Sequence, residues 1–583
     1  MTGHRSFTEH MQAQAAETPG REALVLLSET GGVLSPRTVD YAELDRRART
    51  LATALRRHAE PGQRVLIAHR SRELFVTGFL ACLYAGLVAV PVAPPGGRGH
   101  HDERIAGIVK EAAAVCVLTS TEEAAEVSQL LARTGHGSVV CLLADGPAAT
   151  GATVAEPWQP FVPEPDTVAY LQYTSGSTRD PRGVTVTHRS LLANQRAIQE
   201  ALGTRPGIRM GGWLPLHHDM GLVGQLLHAL WLGGTAVLMT PASFVKRPAN
   251  WLETVSRYGL TVSGAPDFAY EMCVQRINDS QLAGLDLSRW EVAVNGGEPI
   301  DPATLAAFAE RFAPAGLRPG ALAPCYGLAE ATLMVSGTRT APAAAARIVD
   351  AAALEAGRVT APTGPGRALA HCGPAASADV RIVDPDTLRE LPDGRIGEIW
   401  VRGESVGPGY WARPAETAAA FDCRIEGGGG GYLRTGDLGA VDDGLLHVTG
   451  RLKDMIVIAG RNLYPQDLER TVQQVSGLFG AATAFAVPGP RERVVIVQEL
   501  RARSRYDIDL AALASAVQQR LSEEYEIRAA GVLLVRPGTV RRTTSGKVER
   551  AAMRRLYLRG ELTPLHRRTE PETGSLPAVG RQR

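Results

Sequence analysis

Residues 173–184 read YTSGSTRDPRGV. The stretch follows an apolar run, VAYL at 168–171, that reads as a buried strand. It then places hydroxyl side chains at Thr174, Ser175, Ser177 and Thr178 around Gly176. Small residues let the backbone curl so that its N–H groups point inward, and hydroxyls add donors. Polyphosphate oxygens require that arrangement. No G-x-x-x-x-G-K-[ST] pattern is present, so this is not a Walker-type loop. Taken alone, such a run is also an ordinary turn, and the surrounding chain has to decide.

On both sides of the loop, short apolar runs alternate with helical patterns. YAELDRRARTLATALRRH, at 41–58, puts Leu44, Ala48, Leu51 and Leu55 on one stripe. RVLIAH, VCVLT and SVVCLLA before the loop, and TAVLMT and VAVNGG after it, read as buried strands. This is the rhythm of a mostly parallel α/β sheet. The pattern degrades into an Ala-, Gly- and Pro-rich loop or inserted segment at 341–373. Short alternating strands and a PDG turn at 392–394 then suggest a small β-barrel or hairpin unit, with EGGGGG at 426–431 as a hairpin loop. After Arg451 the predicted strands 455–458, 481–487 and 493–500 and helices 465–475 and 510–526 read as a separate α+β domain. The polar tail from 567 reads as disordered.

Composition narrows the function. With 62 Lys+Arg against 61 Asp+Glu, the net charge is +1, so no overall field recruits nucleic acid. Hydrophobic residues at 44% exclude a wholly disordered chain. The seven cysteines show no CxxC spacing and their number is odd, against a zinc ribbon or a disulfide framework. With no signal-peptide core at the N-terminus, a cytoplasmic protein is the expectation. Residues 74–95 carry no charge, but glycines and prolines interrupt them. They read as a buried helix followed by a strand, not as a membrane span. Only four of the 62 basic residues are lysine, namely Lys110, Lys246, Lys453 and Lys547. In so Arg-biased a chain each lysine is informative, because the two cations differ chemically.

Further motifs follow the loop in order: WLPLHHDMGL at 213–222, NGGEP at 295–299, CYGLAEATL at 325–333, YLRTGDLG at 432–439, GRLKDMIVIAGRNLYPQDLE at 450–469 and TTSGKV at 543–548. Together with the loop they resemble the adenylate-forming enzymes and span most of the chain. YLQYTSGSTRDPRGV, PLHHDMGLVG, SGAPDFAYEMC, GLAEATLMVSG, PGYW and RNLYPQDLE are most similar to the fatty acyl-AMP ligases within that superfamily. The resemblance implies a large N-terminal domain over 1–452, built of parallel-sheet α/β subdomains plus a small β-barrel, with 341–373 as a family insertion. It implies a smaller mobile α+β domain over 453–566 and a tail over 567–583.

The implied reaction is attack of a fatty acid carboxylate on the α-phosphate of ATP with Mg2+, releasing pyrophosphate. The acyl group then passes to the phosphopantetheine thiol of an acyl carrier protein, in polyketide, lipopeptide or related lipid assembly. Lys547 matches the catalytic lysine, whose compact ammonium bridges carboxylate and phosphate oxygens better than a flat guanidinium. Glu330 matches the Mg2+ residue; an ion carried on phosphates takes only one or two protein carboxylates. The loop residues Thr174, Ser175, Gly176, Ser177 and Thr178 would cradle phosphates. Tyr326 would stack on adenine, with Gly297, Glu298 and Pro299 bordering the base and the adjoining Gly327 also counted among the nucleotide-binding residues. Asp437 would take the ribose hydroxyls with Arg451 nearby. His218 would stand near the acyl carboxylate, with His217 and Asp219 leaving open which side chain faces the site. Lys453 matches the hinge.

Three positions depart from the family pattern. Arg179 stands in place of Gly and Arg182 in place of Lys. Asp267 stands in place of Asn, where a carboxylate would either favour a substrate bearing a hydroxyl or amine or be a buried, paired residue. The rival readings are a fatty acyl-CoA ligase, differing only in acceptor, and an amino-acid adenylation enzyme, against which the apolar helix at 223–232 argues. A catalytically silent carrier-protein binder would not need Glu330, Asp437, Arg451 and Lys547 together.

Overall fold

The computed structural model describes residues 4–30, 33–96, 99–150, 158–174, 181–339, 346–458, 461–488, 493–501, 508–543 and 546–569. The uncharged stretch shows how its sequence folds. Ser71 accepts a hydrogen bond from the Leu74 N–H and starts helix Arg72–Tyr84, whose apolar residues are buried nearly all round. Strand Val88–Pro91 follows, buried throughout. No described helix is long and apolar enough to cross a membrane.

That strand belongs to a six-stranded sheet. In space its strands run 140–143, 116–119, 64–67, 88–91, 168–173, 183–187. Neighbours are parallel except the last pair, which forms a hairpin. The winding reverses at Arg64–Ile67, so this is a doubly wound sheet, whose ligands sit beyond the carboxyl ends of the strands. A second sheet has eight strands, in the order 334–337, 322–327, 292–295, 262–265, 209–212, 235–238, 22–30, 33–40. Its interior neighbours are parallel and both edges are antiparallel. Helix Tyr41–Leu55 buries Leu44, Ala48, Leu51 and Leu55 in one core with residues of both sheets, as the periodicity expects. A second core on the eight-stranded sheet is aromatic: Trp213 stacks on Phe244 at 4.2 Å, and Trp251 meets Tyr270 edge-on at 5.4 Å.

The contacts divide the chain into two units, Met1–Ala351 with Arg358–Thr449, and Ala352–Gly357 with Gly450–Arg583. In the first, the expected small β unit is a four-stranded sheet of Asp379–Val383, Gly397–Arg402, Leu433–Asp442 and Leu445–Arg451. In the second, strands Phe479–Val487, Arg493–Leu500, Gly531–Val535 and His566–Thr569 form one sheet. Val494 and Ile496 face one apolar core, while Val495 and Val497 face the other, as period-two alternation requires. Helices Pro465–Gln473 and Leu510–Tyr525 cover the first face, and helix Arg550–Leu558 the second.

Two expectations need correction. The stretch 341–373 is not simply a loop: Ala346–Asp350 pairs antiparallel with Gly366–Ala370, and helix Ala351–Glu355 lies between them. Its short side chains hide the alternation. Residues 567–569 are not a disordered tail, because His566–Thr569 adds an antiparallel edge strand to Gly531–Val535. An edge strand needs only backbone partners and tolerates arginines.

Candidate active site

Strands Val168–Tyr173 and Gly183–Thr187 form an antiparallel hairpin. Tyr173 pairs with Gly183, and the Thr174 N–H donates to the Arg182 carbonyl at 3.2 Å. Arg104 donates to the Thr174 carbonyl at 2.7 Å, so the loop's first residue is held from both sides. Ser175, Gly176, Ser177, Thr178 and Arg179 lie outside the described residues.

Glu330 sits on the tight turn Ala329–Ala331. Gly327 is obligatory just before it, since a Cβ would lie 1.9 Å from the Leu333 carbonyl oxygen. Thr332, fully buried, closes the turn at φ +68°, a region where a β-branched residue is an outlier. Its hydroxyl donates to the Ser405 carbonyl at 2.7 Å, and the Gly407 N–H donates to the Glu330 carbonyl at 2.9 Å. Tyr410 donates its hydroxyl to Glu330 Oε1 at 2.8 Å. Burial, then the adjacent carboxylate, pushes the Tyr410 hydroxyl well above the usual phenol range, so it remains a donor. Arg182 lies over the Tyr410 ring at 5.4 Å and pairs with Glu416 at 3.5 Å. The same segment hydrogen-bonds the 168–187 hairpin: Thr185 N–H to Gly409 carbonyl at 2.9 Å, and Trp411 N–H to Gly183 carbonyl at 2.7 Å.

Tyr326 and Asp437, 111 residues apart, touch directly: the Tyr326 hydroxyl donates to Asp437 Oδ2 at 2.9 Å. Both are buried. A hydrogen bond to a charged acceptor of this kind contributes roughly 1.5–3 kcal/mol. The NGGEP segment lies beside them at the strand ends. Gly297 takes φ +85°, which suits glycine. Glu298 Oε1 accepts the Phe268 N–H at 2.7 Å. Asp267, one residue earlier, accepts from the Asn295 amide at 2.8 Å and the Asp301 N–H at 3.2 Å. Two acids thus fasten the segment to helix Asp267–Arg276. Asp267 is therefore the buried, paired residue of the two alternatives. Burial pushes its pKa up to about 7, Asn295 opposes that, and Glu298 and Asp301 add to it.

His217 and His218 are both half-buried, with ring centroids 4.5 Å apart. The Gln172 side-chain amide, at the end of strand Val168–Tyr173, donates to the His217 carbonyl at 2.9 Å. Asp219 caps the following segment by accepting from the Met220 N–H. That segment, Met220–Leu227, is a π-helix running into α-helix His228–Trp231. The expected apolar helix is present, with wider turns than its sequence announces.

Arg451, Lys453 and Lys547 belong to the second unit. Arg451 ends strand Leu445–Arg451, and Lys453 lies on the turn Leu452–Asp454 just past the division. Lys547 stands at the end of a tight turn: the Thr543 N–H donates to the Lys547 carbonyl at 2.8 Å, the Lys547 N–H to the Thr543 hydroxyl at 3.1 Å, and Gly546 takes φ +90°. Among the described residues no three His, Cys, Asp or Glu cluster as a metal site.

The chain is similar to known enzymes over most of its length. The AMP-binding enzyme family model matches residues 11–411. The medium-chain-fatty-acid–[acyl-carrier-protein] ligase of Moorena producens is 37% identical, over 93% of each chain. A long-chain-fatty-acid–AMP ligase of Mycobacterium marinum is 36% identical, over 94% of this chain and 96% of that one. A fatty acyl-adenylate ligase of Legionella pneumophila, solved with acyl adenylate and pyrophosphate, superposes with a TM-score of 0.72 at 31% identity, covering 97% of this chain and 98% of that one. The chain belongs to the fatty acyl-AMP ligase family of AMP-binding enzymes. It is an ATP-dependent, AMP-forming ligase.

Sequence reasoning missed Tyr410 in this ligase. Tyr410 stands in the PGYW motif, which invited attention without naming a partner 80 residues away.

Asp267 gives a pH-dependent test. Its ordinary value is 3.8 and its folded value about 7, so folding favours the neutral acid. The stabilisation is complete below about pH 4 and is lost as pH rises through 7. Asn keeps a carbonyl oxygen for both donors and cannot ionise. Asp267→Asn is expected to raise the thermal midpoint by roughly 2–4 °C at pH 8. The gain should shrink towards nothing near pH 4, as followed by calorimetry across that range.

Proposed function

We propose that this ligase activates a fatty acid with MgATP to acyl-AMP and pyrophosphate, then loads the acyl group onto the phosphopantetheine thiol of an acyl carrier protein for polyketide, lipopeptide or related lipid assembly. The observation that carries the nucleotide half is the Tyr326–Asp437 hydrogen bond, which sets a ring for the adenine beside a carboxylate for the ribose. Gly297, Glu298, Pro299 and Gly327 border the base. Arg451 assists at the ribose. Thr174 and the loop residues after it take the phosphates, and His218 orients the incoming carboxylate. A carboxylate oxygen bonds to the α-phosphorus as the bond to pyrophosphate breaks. Negative charge crowds that centre, so catalysis rests on positioning and on cationic stabilisation. Lys547 supplies the ammonium. Lys453, beside the division between the units, is the hinge that makes residues 453–566 a mobile lobe.

Glu330 is the residue that would hold Mg2+. The donor set suits an ion carried on phosphates: no three His, Cys, Asp or Glu gather as a site among the described residues, and one Glu330 oxygen is already oriented by Tyr410. When bound, the ion offsets phosphate charge.

In the second step the thiol sulfur bonds to the acyl carbon and the acyl–phosphate bond breaks. AMP leaves with the electron pair, and the thiol proton passes to solvent. The acceptor assignment is supported by the Moorena relative's name as an acyl-carrier-protein ligase. A fatty acyl-CoA ligase is the second reading and differs only here. Seven free cysteines fit the reducing cytoplasm.

With MgATP and a ladder of fatty acids, the purified protein is expected to accumulate acyl-AMP, to load holo-carrier protein and to use CoA poorly. Rapid acyl-CoA formation would overturn the acceptor assignment. Lys547→Ala should lower acyl-AMP formation by at least roughly 10²-fold. Tyr410→Phe keeps the ring and loses the bond to Glu330. It should raise half-saturating Mg2+ by roughly tenfold and leave the fatty acid KM unchanged; an unmoved Mg2+ titration would remove Tyr410 from this role.

A further inference from the structure

The near-zero net charge conceals a strongly basic segment. Residues 541–568 carry eight arginines and one lysine against two glutamates. Some of that charge is used inside the second unit: Arg550 makes two hydrogen bonds of 2.7 Å to Glu469. Arg554 and Arg555 lie on helix Arg550–Leu558, and Arg559 follows at its end. That helix buries Ala552 and Met553, and packs Leu556 and Tyr557 against the sheet, with Tyr557 edge-on to Phe485 at 5.8 Å. Arg554 and Leu558, four residues apart, share one exposed side of it, and Arg559, also exposed, follows at its C-terminal end. Leu558 is 49% exposed, a large apolar side chain among cations. Arg559 has only a loose 3.7 Å pair with Glu561, and Arg554 holds the Ala486 carbonyl through Nε.

We propose that this face docks the acyl carrier protein. The inference rests on the carrier-protein reading above and adds the surface. A basic face with one apolar anchor fits an acidic partner that buries a single hydrophobic contact within a polar rim. The reaction needs a protein-borne thiol, and an acidic carrier meets both demands. The docking helix begins three residues after Lys547, so docking and catalysis share one lobe. An anionic membrane fits less well. Surface-lying helices bury a broad apolar face, whereas here that face is already packed on the sheet and Leu558 is the one large apolar side chain exposed on the described helix. Nucleic acid would want aromatic platforms, but Tyr557 is occupied by Phe485.

The test uses the full-length enzyme, and as probe the holo-carrier protein that the wild type loads fastest from a panel. Arg554→Glu combined with Arg559→Glu should make acyl-AMP at the wild-type rate and raise the KM for holo-carrier about tenfold, because opposed rim charges slow encounter. The wild-type KM should climb with salt, while the Arg554→Lys, Arg559→Lys pair stays near wild type. Leu558→Ala should raise the same KM with less salt dependence. An unchanged carrier KM in the Glu pair overturns the proposal. So does loss of acyl-AMP formation in step with loading, which would place these residues in the fold. Loss of binding to phosphatidylglycerol vesicles with an unchanged carrier KM would assign the face to a membrane instead. A wild type that makes acyl-AMP yet loads only CoA would sink the carrier reading itself, an outcome distinct from failure of this face.

Discussion

The backbone of residues 405–411 is the tie on which the site depends. On one side it hydrogen-bonds strand Gly183–Thr187; on the other it holds the turn bearing Glu330. Gly407 is the crossing point. A Cβ there would lie 2.4 Å from the Thr185 carbonyl oxygen, so no other residue lets the two sides approach. One short segment therefore sets how strand Gly183–Thr187 and the turn bearing Glu330 approach each other. Tyr410 extends the tie from backbone to side chain. Thr332 shows its strength, since a buried β-branched residue at φ +68° costs roughly 1–3 kcal/mol and persists only where neighbours over-determine it.

Charge is divided between the units in a way the overall count hides. The first unit gathers acceptors: Glu330, Asp437 and Glu298 each take a hydrogen bond from Tyr410, Tyr326 and the Phe268 backbone. Such groups suit ribose hydroxyls, an adenine edge or a divalent ion. They repel phosphate. The second unit holds the complementary cations, Lys547 and the arginines around it. In a chain that uses Arg for nearly every cation, a Lys at 547 fits a role needing a compact point charge over a fork.

Most of the α/β framework was legible because buried strands and amphipathic helices leave periodic traces. The stripe of Leu44, Ala48, Leu51 and Leu55 and the runs at 64–67, 116–119 and 235–238 all fold as their patterns state. Strand His566–Thr569 was illegible because its pairing is backbone alone and its side chains are polar. The pair at 346–370 was masked by alanine and glycine, whose small contrast in hydropathy blurs alternation. At the site, motif order brought Tyr326, Glu330 and Asp437 forward. Tyr410 stayed hidden because only the fold brings a tyrosine to a carboxylate 80 residues earlier. The pairing of Asp267 with Asn295 and Asp301 was hidden for the same reason.

The π-helix after the histidines shows how local geometry and substrate chemistry meet. Its hydrogen bonds reach one residue further than in an α-helix, with the His228 N–H donating to the Val223 carbonyl. Runs of this kind are rare and collect at functional sites because their geometry is poorer. Here the sequence supports it at the first turn. Gly221 lets the chain pass so close to Pro215 that a Cβ would lie 2.1 Å from its carbonyl oxygen, and Asp219 caps the start. The wider turn changes which side chains share a face. Leu222, Val223, Leu226 and Leu227 are all buried, so the segment is apolar over most of its circumference directly behind two half-buried imidazoles. All four pack into the core shared by the two large sheets, so the apolar side chains of the π-helix anchor the segment that carries the imidazoles.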